Sequence, residues 1–471
     1  MKRTTLIGLL LLLAGFLSAA GLSPEDSLKQ LLETATGREK VSLLIQLSEH
    51  NRDKSVFDCK QYYHKAFALA RSLHDLNLMG LASKSMGVSY FYWGDMKNAF
   101  RYFRQGLHYY QQGDVKEGES NCLNNLGLVY EGWAKYDSAA YYYRASYLME
   151  KKLHNLEGEA LSLINMGNIE YYRKNYHDAL QYYFQALKNF VLTNDQNGIA
   201  MGHNSVAIIY SNIGEYDKAL DYLKKARDIY SKTNSKRKLS RVLNNMADIY
   251  SDHFKEYKKA EMLYEKVLGI KKELDDKEGI ALVKCNLGVL YGHLGLFTQA
   301  LRYFDESEKI YTETEDKWGL SMVYLNKGKV LLDAGKYKKA EQEFLKSLSL
   351  STQTGLKDFT NRNYQGLFKC YAALGNYNLF NKYYTLFEQS RDSLTQKLEA
   401  VRIAQLEARF KIDSLIQQRN NLLQDTQRKE QKLNRFYILS LGLSLLVIIL
   451  LLAFVLYRKA KKEAVKYRVE E

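Results

Sequence analysis

Asparagine recurs in this sequence at a fixed register. Asn125, Asn165, Asn245, Asn286 and Asn326 each stand two positions before a small residue, Ser85 and Ser205 hold the equivalent places, and Asn124, Asn204 and Asn244 lie beside the same line. A carboxamide donates and accepts hydrogen bonds at once, so a row of them can pair with the backbone of an extended chain, or with neighbouring helices to hold them in register. Recognition rather than catalysis is the chemistry this offers. The nine histidines show no metal-binding H-E-x-x-H spacing, and there is no P-loop, no G-x-G-x-x-G after a strand and no G-x-S-x-G elbow. Carboxylate pairs such as Asp275 with Asp276, or Glu313 with Asp316, fall in turn-like segments and read as solvated charge. Cys59, Cys122, Cys285 and Cys370 are far apart with no C-x-x-C pair, which favours buried single thiols over a metal site or a disulfide framework. No enzymatic activity, metal or cofactor is expected.

The elements that carry the asparagines follow from composition and period. The chain has 471 residues, 38 tyrosines and a single proline, Pro24, so long uninterrupted helices are expected. A small residue recurs at Ser48, Gly87, Gly127, Gly167, Ala207, Ala247, Gly288 and Gly328, at intervals of 39 to 41 residues. Another follows twelve or thirteen positions later, at Ala99, Ala139, Ala179, Ala219, Ala260, Ala300 and Ala340. Four beyond each of these stands Phe103, Tyr143, Tyr183, Leu223, Tyr264, Phe304 or Phe344. That order suits a helical hairpin, in which a small residue of the first helix admits the second helix and an aromatic residue of the second fills the seam. Mid-helix glycine costs about 1 kcal/mol relative to alanine, so its recurrence at one register implies a packing need. Tyr90, Tyr130, Tyr210, Tyr250 and Tyr291, three past the small residue, add area with a polar tip.

With these residues the sequence resembles the tetratricopeptide repeat over about Val41 to Phe387, in nine units. The first unit (Ser48, Cys59, Tyr63, Ala66) and the last (Tyr371, Gly375, Tyr377, Tyr384) are degenerate, as terminal caps often are. The period is about 40 rather than the family's 34, and the terminal proline of each unit is missing. The resemblance implies an all-α solenoid of about nine hairpins, with Asn124, Asn125, Asn165, Asn204, Asn244, Asn245, Asn286 and Asn326 forming a ladder along a concave groove that takes a protein or peptide. Gly118, Gly158, Gly198, Gly279 and Gly319, nine before the small residue of their unit, are expected in left-handed turns between hairpins. Lys238 replaces that glycine in the unit of Ala247, in the basic stretch NSKRKLSR.

Residues 1–20 read as a secretory signal: Lys2 and Arg3, an apolar run from Leu6 to Leu17, and a Ser18-Ala19-Ala20 cleavage site. Residues 436–457 carry no charge over 22 positions and predict one transmembrane helix, flanked by Tyr437 and Tyr457. The basic tail 458–471 and the exported N-terminus agree on a cytoplasmic C-terminus. The net charge of +15 therefore loses its nucleic-acid reading. Setting aside two positive charges at the start and a net three in the tail leaves +10 on an exported segment, where no nucleic acid is expected. The expected order is signal peptide (1–20), lead-in (21–40), repeat superhelix (41–390), stalk helix (391–435), span and tail. The heptad-like apolar residues of the stalk suit either a coiled coil joining a homodimer or a single amphipathic helix packed on the last repeats.

This order resembles the sensory half of bacterial tetratricopeptide-repeat membrane regulators; no kinase or helix-turn-helix output residues match. The resemblance implies a receptor or sensor module at the bacterial inner membrane, with a periplasmic array that binds protein or peptide. The alternative is a scaffold for envelope assembly or secretion that does not signal.

Overall fold

A computed structural model describes residues 23–390 and, beyond them, residues 416, 419–424, 426–431, 433, 434, 436 and 437. All regular structure among these residues is helical. A helix within the expected lead-in, α1 (Pro24–Thr34), precedes nine hairpins. They pair α2 (Gly37–His50) with α3 (Val56–Ser72), α4 (Leu76–Tyr92) with α5 (Met96–Gln112), α6 (Lys116–Gly132) with α7 (Tyr136–Lys152), α8 (Leu156–Tyr172) with α9 (Tyr176–Thr193), and α10 (Gln196–Asn212) with α11 (Tyr216–Lys232). The series continues with α12 (Lys236–Asp252) and α13 (Tyr257–Glu273), α14 (Lys277–His293) and α15 (Phe297–Glu313), α16 (Lys317–Asp333) and α17 (Tyr337–Gln353), and α18 (Lys357–Ala373) and α19 (Tyr377–Ser390). Helix α1 was missed as an element, yet its start was legible. Ser23 caps it by accepting from the Asp26 N–H, and Pro24 occupies the first turn, where its missing N–H costs nothing.

The forty-residue period has a simple origin. Most helices span seventeen residues and most turns span three, so two of each make one unit. In the turn after α4, the Asp95 N–H donates to the Tyr90 carbonyl at 2.9 Å and the Gly94 N–H to the Phe91 carbonyl at 3.1 Å, with Gly94 at φ +77°. That is the Schellman arrangement, and it closes a helix within one residue of its last turn. The same left-handed residue recurs down the chain, as glycine at Gly214 and Gly295, as Asp114, His154, Asn194, Asn234 and Asp275, and as Ala134, Lys174, Lys255 and Glu315. Aspartate, asparagine and histidine tolerate this region better than other side chains. The turn from Asp252 to Tyr257 holds one residue more, which accounts for the single interval of 41.

Gly118, Gly158, Gly198, Gly279 and Gly319 do not sit in those turns, contrary to expectation. Each is the third residue of a first helix, four positions after the left-handed residue. Their role is close approach, because a Cβ there would strike the preceding second helix: Tyr110 at Gly118, Glu150 at Gly158, Phe190 at Gly198, Lys271 at Gly279 and Tyr311 at Gly319. Within hairpins the seam is equally tight. A Cβ on Gly87 would lie 2.6 Å from the Phe103 ring, and one on Gly288 would lie 2.7 Å from Phe304. Ala99, Ala139, Ala179, Ala219, Ala260, Ala300 and Ala340 are fully buried across from them.

Contacts divide the chain into two units, 1–408 and 409–471. In the second, the described stretches between 419 and 437 are helical, with Leu422, Leu433 and Phe436 exposed. Among the described residues no helix is long and apolar enough to cross a membrane. The expected signal (1–20), tail (458–471), most of the stalk (391–435) and the span (436–457) beyond its first two residues lie outside the described residues.

Two glycine substitutions should shift stability in opposite directions. Gly288→Ala forces a methyl group against Phe304 and should lower the unfolding free energy by about 1–3 kcal/mol. Gly269→Ala, mid-helix in α13 with open space around it, should raise it by up to about 1 kcal/mol through helix propensity. Urea unfolding followed by far-UV circular dichroism measures both, and equal effects would contradict the packing role.

Candidate partner-binding groove

Successive first helices touch one another, as α4 touches α6, α10 touches α12 and α14 touches α16, whereas second helices make no comparable contact with each other. A double layer in which one layer is drawn together curves towards that layer, so the first helices line the concave face. Residues one past the small register lie on this face: Val88, Leu128, Asn168, Ile208, Asp248, Val289 and Lys329.

What stands there correlates with the residue behind it in the seam. The Tyr183 hydroxyl donates to Asn168 Oδ1 at 2.8 Å, Tyr264 to Asp248 Oδ1 at 2.6 Å, and Tyr143 to Glu131 Oε2, one turn along α6, at 2.6 Å. Phenylalanine stands behind Val88 and Val289, as Phe103 and Phe304, and Leu223 behind Ile208. A buried phenol needs a partner, and here it reaches through the seam to hold a polar group of the groove from below. Leu128, in front of Tyr143, and Lys329, in front of Phe344, depart from the pattern.

Each predicted asparagine is half-buried on a first helix. Asn165 Nδ2 donates to Asn124 Oδ1 at 2.9 Å, Asn245 to Asn204 at 3.2 Å and Asn286 to Asn244 at 3.0 Å, so the amide of one hairpin is tied to the one before. Asn286 also donates to Asp248 Oδ1 at 3.2 Å, Asn244 donates to Asp248 Oδ2 at 3.0 Å, and Asn326 points to the Cys285 sulfur at 3.5 Å. These amides stitch successive first helices together and keep part of their bonding capacity on the concave side. Asn125 stands in the row with no side-chain hydrogen bond among the described residues.

Sequence reasoning missed the acids of the groove, Asp248, Asp252 and Glu131. The signal that could have found them is the tyrosine of the seam, which marks a polar partner opposite. Burial raises the carboxyl of Asp248 from 3.8 to about 7, with the Tyr264 hydroxyl opposing the shift and the Asp252 charge adding to it. Among the described residues Asp248 has no ion-pair partner, while Asp252 has only His293 at 3.8 Å. Burial also raises Glu131, against the hydroxyls of Tyr143 and Tyr172. A cavity of about 330 Å³ opens between α10 and α12 over α11, with Asp248, Asp252 and Asn245 on its wall. The four cysteines are buried and free, and burial pushes Cys122, Cys285 and Cys370 up to about 12. Among the described residues no group of side chains could hold a metal ion.

Residues 198–273 and 279–353, about a third of the chain, match the tetratricopeptide repeat model. These two stretches are tetratricopeptide repeats, and helical hairpins of the same construction continue the array on either side. No curated protein is similar in sequence. Among solved structures, a Rap protein complexed with competence and sporulation factor is similar over 76% of this chain and 99% of its own, with TM-score 0.55 and 15% identity. The apo form of the quorum sensor NprR from B. thuringiensis is similar over 75% of this chain and 97% of its own, with TM-score 0.53 and 15% identity. At such identity the likeness is one of fold.

The raised Asp248 carboxyl has a signed consequence. Between about pH 4 and 7 the folded state binds this proton more tightly than the unfolded chain does, so the group's contribution to stability falls as pH rises through that window. Asp248→Asn removes the dependence. Relative to the native chain the variant should gain stability from about pH 4 to 7 and level off above, as read by urea titrations at each pH. His203, held near 4 by burial, has the opposite trend and cancels in this comparison. A difference that is flat with pH would remove Asp248 as a proton-binding group.

Proposed function

We propose that the array is the partner-binding part of a membrane-anchored bacterial receptor, and that an extended peptide or protein segment lies along the first-helix groove. The observation that carries this reading is the line of amides and acids on the concave face, held from behind by seam tyrosines and facing solvent in front. Side chains that bond both ways suit a backbone ligand, and rigid helices pre-organise them, which lowers the ordering cost of binding. The fold likeness to a Rap protein crystallised with competence and sporulation factor, and to a quorum sensor, supports a peptide-sized ligand. The basic and apolar start at 1–20 and the charge-free stretch 436–457 support an exported array at the inner membrane, with one span and a cytoplasmic tail. A stalk joining two copies would carry binding across that span.

Asn125 separates ligand contact from structural support. Asn125→Ala should weaken capture of peptides selected from a random library on the full chain by roughly tenfold, with an unchanged melting temperature. Replacing Asn125, Asn245 and Asn286 together should weaken capture further and lower the melting temperature, since two of the three also tie hairpins together. Unchanged capture in both variants, measured by fluorescence anisotropy, would confine the row to structural support.

A further inference from the structure

The cavity between α10 and α12 lies where the repeat breaks its own rules. At the seam register the other central hairpins carry phenylalanine or tyrosine, whereas the fifth carries Leu223, whose smaller side chain forms part of the cavity wall. The longer turn after α12 places His253 on the Tyr216 ring, with centroids 3.6 Å apart, and this stack forms another part of the wall. Ile208 and Ile249 add apolar surface, while the side chains of Asp248 and Asp252 bring carboxylates to it.

We infer that this cavity is the subsite for one cationic side chain, lysine or arginine, of a peptide in the groove, its aliphatic stem against Leu223 and Ile208 and its charged head between Asp248 and Asp252. The inference rests on the groove reading above and names the chemistry of its ligand. Size points to a side chain. At about 330 Å³ the space stands at the small end of ligand pockets, which run from roughly 300 to 1,000 Å³. The mixed wall matches an amphipathic side chain, whose stem buries against apolar surface while its head stays polar. Charge points the same way. Asp248 accepts from three neutral donors, Tyr264, Asn244 and Asn286, and has no ion-pair partner among the described residues, so this half-buried carboxyl lacks a counter-charge until a ligand brings one. Lys329, which feels the charge of Asp252, stands two hairpins further on.

The test is selection of random heptapeptides on the full chain and on two variants. Asp252→Asn removes an exposed charge at the cavity rim, and Leu223→Phe fills the cavity with the residue type that other hairpins carry at this register; neither residue makes any of the three bonds to Asp248. Peptides selected on the native chain should be enriched in arginine or lysine at one position, and both variants should lose that enrichment while still capturing peptides. Norleucine at that position should cost the native chain roughly tenfold or more in affinity and leave Asp252→Asn nearly unaffected. Peptides captured without a basic preference, or the same preference in all three proteins, would overturn the subsite and leave the groove reading standing. No peptide captured by the native chain would overturn both.

Discussion

The fold depends on one approach distance. In five of the seven central hairpins a first helix lies so near the second that the ring of Phe103, Tyr143, Tyr183, Phe304 or Phe344 occupies the space where a Cβ of the facing glycine would be, and Ala207 and Ala247 hold the register in the other two. Glycine within a helix is unfavourable by about 1 kcal/mol, and the buried ring on the facing helix offsets it several times over. Between hairpins the same device is repeated with a different glycine, as Gly118 meets Tyr110 and Gly319 meets Tyr311. Two small-against-large contacts per unit therefore set both the width of a hairpin and its distance from the next. Short Schellman turns leave the helices almost no freedom to slide.

The groove is a by-product of that seam. Because the ring fills the space beneath the small residue, a phenol at the same place brings a hydroxyl to the concave surface. The residue one turn along or one position on is then free to be Asn168, Asp248 or Glu131. Core packing and groove chemistry are coupled through single tyrosines, so a change from tyrosine to phenylalanine in the seam is also a change in the electrostatics of the groove. Where the seam residue is Leu223, the coupling takes another form, and the surface opens into a cavity beside the acids.

Much of this was legible in the sequence. The spacing of small and aromatic residues identified nine hairpins, and the asparagines lie on the first helices as their register implied. Gly118 and its equivalents were misplaced, because glycine serves equally for a left-handed turn and for close approach, and only the facing residue decides between them. Helix α1 escaped notice because it precedes the first unit and shares none of its register. Asp248 escaped as well, since a single acid among many carries no periodic signal and its significance comes from Tyr264 and Asn286, 16 and 38 positions away. Periodicity reports distances along a chain, and a site is made by what meets across it.

Hydrogen exchange on the full chain, with and without a selected peptide, tests the central claim most directly. If the ligand lies in the first-helix groove, added protection should fall on α8, α10, α12 and α14 and spare the outward faces of α9, α11 and α13. Protection centred on those second helices, with the first helices unchanged, would contradict it.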